Sequence, residues 1–399
     1  MDIYAKIGVR QRINAAGSLT RLGGTLMPED VLDAMRAAAG ASVDMAELQE
    51  AASNVIARAT GAEAGMVSTG AAAALTLGTA ACLAGYNVHR MERLPDTTGM
   101  PNEVVICRQH RTGYDHAFRA AGAKLVEIGL NDRWTGSGVR GVEDWEFDAV
   151  IGPNTAAIAY TATKHDEPPL ERVARLAERH KLPLIVDAAA QLPPAANLKR
   201  IIAAGATLVA FSGGKAIRGP QSTGILAGKR DLIASALLQM LDMDVAPETW
   251  APPKLIPRDK LNGVPHHGIG RGFKAGKEEI VGLIVALERF QGIDWDAENK
   301  AVEGRFQRMA QRLGGAGFAT RLIPATETGR QPWLEVAIDK TKLGLDAHGA
   351  SKALQQGNPP VHISERRAAE GYLVIDPMSL NPADDATLVD RVIALARSA

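Results

Sequence analysis

The sequence predicts an α/β fold, a mainly parallel sheet with helices on both faces, followed by a smaller α+β carboxyl-terminal domain. Two observations carry that prediction. Short apolar runs of strand length alternate with helix-period segments over roughly residues 60–230, a pattern that implies right-handed crossovers. Polar residues then close several of those runs: Asp187 follows Leu184, Ile185 and Val186, and Ser212 follows Leu208, Val209, Ala210 and Phe211. Ligands of open α/β sheets gather at that end of the strands.

Residues 1–25 read as an irregular arm, rich in turn residues and poor in period, in which Thr20 and Arg21 are placed to meet an anion. Helices are expected over 28–39, where Val31, Leu32 and Met35 share a face, and from 45 to near Gly61. Residues 64–68 lead into Ser68-Thr69-Gly70-Ala71-Ala72, a hydroxyl and glycine turn that opens an uncharged helix over 71–83. Such a helix is buried all round, and its first N–H groups are free to hold a phosphate. The apolar run 104–107 ends at Arg108-Gln109-His110-Arg111. His110 reads equally as a ring-stacking residue and as a satisfied buried histidine. A helix over 114–122, strands over 124–128 and 156–161, the latter followed by Lys164 and His165, and helices over 170–181 and 198–204 complete the large domain, 26–250. Five prolines punctuate 246–265 and mark the exit from it, followed by the loop His266-His267-Gly268-Ile269-Gly270-Arg271. The two adjacent histidines point to opposite sides of an extended chain, so no metal is expected there. Helices over 278–291, 296–313, 346–356 and 384–396, with strands over 333–338 and 372–375, make up the linker and small domain, 251–399.

Composition bounds the function. Of 399 residues, 46% are hydrophobic and 23% charged, as in an ordinary globular enzyme. Lys+Arg and Asp+Glu are each 45, which leaves no net basic field to collect nucleic acid. The two cysteines, Cys82 and Cys107, suggest neither a disulfide framework nor a zinc site and read as buried packing residues. With no long apolar run and no signal-peptide core, the chain is expected to be cytoplasmic.

The chemistry is centred on 208–224, LVAFSGGKAIRGPQSTG. Lys215 follows two glycines at a strand's carboxyl end, where desolvation favours the neutral amine that a Schiff-base lysine needs. Asp187 closes a neighbouring strand. An amine and an acid so placed suit pyridoxal 5'-phosphate, the lysine holding its aldehyde and the acid keeping its pyridine nitrogen protonated. Taken singly, a strand-end Asp is more often a cap or ion-pair partner, and a Lys after two glycines a solvated turn. With the turn at 68–72 as a third element the odds reverse.

The segments INAAGSLTRLGG, STGAAAAL, IVDAAAQLPP, FSGGKAIRGPQSTG and GRGFKAGKEEIVGL resemble those of fold-type-I (aspartate aminotransferase-like) pyridoxal-phosphate enzymes related to bacterial selenocysteine synthase. Within that group the chain is most similar to the D-glucosaminate-6-phosphate ammonia-lyase branch. The resemblance implies that Lys215 carries the cofactor, Asp187 pairs the ring nitrogen, His110 stacks on the ring, and Ser68, Thr69, Gly70, Ala71 and Ser212 surround the phosphate. It implies a homodimer or higher homo-oligomer with shared sites, to which Gln221-Ser222-Thr223-Gly224, Arg271 and Lys274 contribute. Thr223 and Gly224 would lie at the cofactor, and Gln221, Arg271 and Lys274 at the substrate. Where the lyase branch carries a carboxylate-binding arginine this sequence has Ser364, with Arg366 or Arg367 able to substitute from the next turn. The implied activity is β-elimination of water from an amino acid or amino sugar acid, releasing ammonia and a 2-oxo acid. Racemisation or epimerisation, aldol cleavage and transamination share its first half and stay open. A tRNA-dependent selenium transferase fits the neutral charge poorly.

Overall fold

The computed structural model describes residues 3–130, 141–163 and 167–397, so Lys164 and His165 lie outside the described residues. The chain divides into two units: residues 27–291, and residues 1–26 with 292–399. Sequence reasoning ended the large domain at 250. Residues 246–265 stay with the large unit because Trp250, Leu255 and Ile256 are buried in its core. Prolines signal irregular backbone, which a packed loop and a linker share. Among the described residues no helix is long and apolar enough to cross a membrane.

The first strand, β1 (Ile13–Ala15), belongs to the small unit. The large unit contains β2 (Ala64–Ser68), β3 (Glu103–Cys107), β4 (Lys124–Ile128), β5 (Thr155–Thr161), β6 (Leu184–Asp187), β7 (Leu208–Ser212) and β8 (Gly224–Gly228). They form one sheet in the order β2-β8-β7-β6-β5-β3-β4, parallel throughout except for β8, which runs antiparallel to both neighbours. Leu184, Ile185, Val186, Leu208, Val209, Ala210 and Phe211 have no exposed surface, the expected state of strands covered on both faces. The edge strand β2 is held from outside by Gln49, whose buried amide donates to Val67 O at 2.8 Å and accepts from Val67 N at 3.0 Å. That pairing meets polar backbone which a sheet edge otherwise leaves unsatisfied. Gln49 stands on the helix Met45–Thr60, which Asp44 opens by accepting from Ala46 N and Glu47 N and Gly61 closes with φ 72°. The helix Gly70–Ala84 is buried along its length, and a Cβ on Gly78 would lie 3.2 Å from Leu208 on β7.

In the small unit β9 (Thr320–Ile323), β10 (Trp333–Ala337) and β12 (Tyr372–Ile375) form an antiparallel sheet with β10 central. β11 (Val361–Ile363) pairs in parallel with β1. The amino-terminal arm is therefore built into this unit: Ile13 and Ala15 join Phe306, Leu334, Leu354, Val361 and Leu388 in its core. A three-residue strand shows no readable alternation, which is why the arm reads as irregular in sequence.

Candidate active site

Three strand ends of the large unit are brought level by register. Ser68 on β2, Gly224 on β8 and Ser212 on β7 are direct partners across the sheet. On the next strands Asp187 is opposite Ala210 of β7 and Thr161 of β5. Residues from Ser68 to Gly224 thus meet at one end of the strands.

The glycines here serve close backbone approach. A Cβ on Gly224 would fall 2.2 Å from the Gly70 carbonyl carbon, and one on Gly214 2.4 Å from Gln221 Cα. A Cβ on Gly213 would lie 2.1 Å from Thr223 Oγ1, while Thr223 donates that hydroxyl to Pro220 O at 2.7 Å. Gly213 N donates to Thr223 O and Gly219 N to Gly213 O, each at 2.9 Å, so the loop carrying Lys215 folds back on itself. Gly224→Ala is expected to push the 68–71 turn out of place. Overpacking costs about 1–3 kcal/mol, and cofactor affinity, measured by absorbance titration, should fall roughly tenfold or more.

The helix after that turn has no side-chain cap at Thr69, and Ser68 Oγ donates to Gly70 O at 3.2 Å. Thr69 N is engaged, donating to Phe273 O at 3.1 Å. That bond brings the loop bearing Arg271 and Lys274 beside the turn. The N–H groups that open the helix, from Gly70 and Ala71, have no intrahelical partner and could hold a phosphate.

Asp187 is half-buried at the end of β6. Burial pushes its carboxyl above the usual range, against the opposing effects of an Ala189 N–H bond at 3.0 Å and the nearby Lys215 charge. Its second oxygen accepts no hydrogen bond among the described residues. A half-buried acid with one free acceptor beside a lysine fits a protonated ring nitrogen, and the uncapped helix start fits a phosphate. The residues present therefore fit pyridoxal 5'-phosphate.

His110, 3% exposed, directs Nε2 to Glu167 O at 3.0 Å and meets the Tyr160 ring edge-on at 4.3 Å. Thr161 Oγ1 donates to its carbonyl at 2.9 Å. These contacts fix the imidazole plane next to the strand that pairs with Asp187 and leave both sequence readings of His110 open; Tyr160, which the sequence does not single out, has its phenol anchored to Pro168 O at 2.9 Å. Burial pushes the neighbouring Cys107 thiol up to about 12, which leaves it inert.

Arg271 is ion-paired with Asp242 at 2.6 Å, and Lys274 is exposed. A Cβ on Gly268 or Gly270 would strike the Gln239 backbone, whereas beside Gly272 the space is open. His266 bonds Glu92 at 2.8 Å and His267 faces Asp242 at 3.4 Å, the divergence expected of adjacent residues. Gln221 is half-buried over Gly214.

Thr20, Arg21, Ser364 and Arg366 belong to the small unit. Thr20 and Arg21 form a short 3-10 turn and are exposed. Ser364 is buried and accepts from Arg366 Nε at 2.9 Å, while Arg366 also pairs with buried Asp376 at 3.0 Å and lies 4.1 Å over the Trp333 ring. Arg367 is committed to buried Glu335 and to Glu370. Arg330 joins this group unforeseen. Burial pulls its guanidinium below the ordinary range, with Asp376 opposing and Arg366 adding to the effect. Only the turn glycine before it, Gly329 at φ 72°, marks it in sequence.

The chain matches the family described as "SelA: L-seryl-tRNA selenium transferase" over residues 12–244. It is 28% identical to a D-glucosaminate-6-phosphate ammonia lyase of Salmonella typhimurium, with 100% of this chain and 99% of the relative covered. It is 29% identical to a 5'-C-glycyluridine monooxygenase-decarboxylase of Streptomyces, with 98% and 90% covered. A solved structure of a D-glucosaminate-6-phosphate ammonia-lyase superposes with a TM-score of 0.82 at 28% identity, covering 100% of this chain and 99% of that one.

Proposed function

We propose that this chain, which belongs to the L-seryl-tRNA selenium transferase (SelA) family, is a pyridoxal-phosphate-dependent ammonia-lyase acting on an amino sugar acid. The observation that most supports this reading is the likeness to the ammonia lyase over the whole chain, joined to the Lys215, Asp187 and helix-start arrangement.

When bound, pyridoxal 5'-phosphate supplies an electron sink for the charge left at the substrate's α carbon. The Gly70 and Ala71 N–H groups hold the phosphate end, and Asp187 keeps a proton on the ring nitrogen. His110, held by Glu167 O and Tyr160, presents its imidazole at a fixed angle to the neighbouring β5 and β6 ends. Lys215 Nζ would hold the cofactor's aldehyde end and, as a free amine, would take the α proton. Loss of the β hydroxyl as water, followed by addition of water at the imine carbon, releases ammonia and a 2-oxo-3-deoxy acid. The test is ammonia and 2-oxo acid release from D-glucosaminate 6-phosphate and from its unphosphorylated form. Racemised or cleaved product without ammonia would refute the lyase reading.

A second reading follows from the Streptomyces relative: oxidative decarboxylation at the same carbon, which consumes dioxygen and releases carbon dioxide. Ammonia release under anaerobic conditions separates the two.

Arg271 supplies the main charged contact to the substrate anion in this proposal. Its partner Asp242 is exposed, and a pair of that kind is worth only about 0–1 kcal/mol, so a substrate phosphate or carboxylate can recruit the guanidinium. Arg271→Ala should lower kcat/KM about ten- to a hundredfold with an unchanged cofactor spectrum. Arg366, by contrast, is committed to Ser364, Asp376 and Trp333. Arg366→Ala should lower the melting temperature and leave kcat/KM within a few-fold of wild type. The reverse pattern would move the anion site to the small unit.

A further inference from the structure

The small unit holds a cavity of about 390 Å³ that none of the chemistry above uses. Its walls are apolar: Leu343, Leu345, Ala353, Ala394 and Leu395, with Gly344 between the first two. One charged group lines it, Arg391, on the helix Asp385–Ala394. The other charged residues of that helix are matched, Asp385 by Arg305 at 2.7 Å and Asp390 by Arg312 at 2.6 Å. Arg391 makes no ion pair or hydrogen bond among the described residues, and its Nε is buried without a partner.

The guanidinium lies in a seat shaped for it. A Cβ on Gly357 would come within 1.5 Å of Arg391 Nη2, although Gly357 has φ −75° and ψ −174°, a conformation open to any residue. Glycine is therefore needed at 357 to make room for the arginine and not to make a turn. A buried N–H without an acceptor is costly. Ligand sites have this composition, an apolar cavity of a few hundred Å³ with one directing polar group.

We propose that this cavity binds a small aliphatic monocarboxylate, its carboxylate on Arg391 and its chain along Leu343, Leu345 and Leu395. A guanidinium pairs a carboxylate through two parallel N–H bonds. Among the described residues no second cation lines the cavity, which disfavours dicarboxylates, and the leucines disfavour a hydrated inorganic anion.

Hexanoate titrated into the holoenzyme, followed by calorimetry, tests this. Wild type should bind with a Kd on the order of a millimolar, hexan-1-ol and hexylamine should bind at least about tenfold more weakly, and inorganic phosphate should not compete. Arg391→Met should weaken hexanoate at least about tenfold with an unchanged cofactor spectrum. Gly357→Ala should do the same by displacing the guanidinium while keeping its charge, which covers the case of a poorly folded Arg391 variant. Equal affinity in both variants, equal binding of hexan-1-ol, competition by phosphate, or no hexanoate binding by wild type would each overturn the proposal. A lowered melting temperature in Arg391→Met with unchanged hexanoate affinity would make Arg391 only a support for the helix end at Gln356.

Discussion

Replacing Lys215 by alanine is expected to lower turnover by about 10² to 10⁴ and to abolish the fixing of cofactor by borohydride. Wild-type protein should be yellow, and peptide mapping after reduction should recover the cofactor on Lys215. The expectation rests on a half-buried lysine carried by a loop that Gly213, Gly219 and Thr223 hold against the sheet edge, close enough to Asp187 to oppose its burial shift. Methylamine should restore part of the turnover in Lys215→Ala, since the missing group is an amine in an intact pocket. Recovery of the reduced cofactor on Lys164 or Lys274 would refute the assignment.

Asp187→Asn is expected to retain cofactor while losing most exchange of the substrate's α proton. A neutral amide cannot hold a proton on the ring nitrogen, and the effect should be of the same order, about 10²-fold or more. The same substitution has an opposite effect on the protein free of cofactor. Burial raises the folded-state pKa of Asp187, so the native state binds its proton more tightly than the unfolded chain. Stability from this group is then fully present below the unfolded value, about 3.9, and falls as pH rises through the folded value. Asp187→Asn removes the half-buried charge and should raise the melting temperature of the cofactor-free protein at neutral pH, with no gain at acid pH. A variant less stable than wild type at pH 7, or one with wild-type α-proton exchange, would mean that Asp187 is held by contacts other than those described.

The sequence alone was enough for the fold class and for the strands ending in Asp187 and Ser212. Each is written locally: an apolar run buried on both faces needs no distant information, and a polar residue that ends one must face an edge of the sheet. The small units of structure were not legible. β1 and β11 are three residues long, too short for a period, β9 is a mostly unburied strand with no apolar run, and three of the five residues of β8 are glycine or alanine. Those strands nevertheless decide the architecture, because β1 on β11 returns the amino-terminal arm to the small unit and β8 carries Gly224 between Ser68 and Ser212. The motif at 266–271 shows the same limit. Its glycines suggest access for a ligand in sequence, whereas in the fold the space beside Gly268 and Gly270 is taken by the Gln239 backbone and by Leu77. Register, close backbone approach and ion-pair choice depend on residues far apart in the chain, and only tertiary structure brings their atoms within the few ångströms over which those forces act.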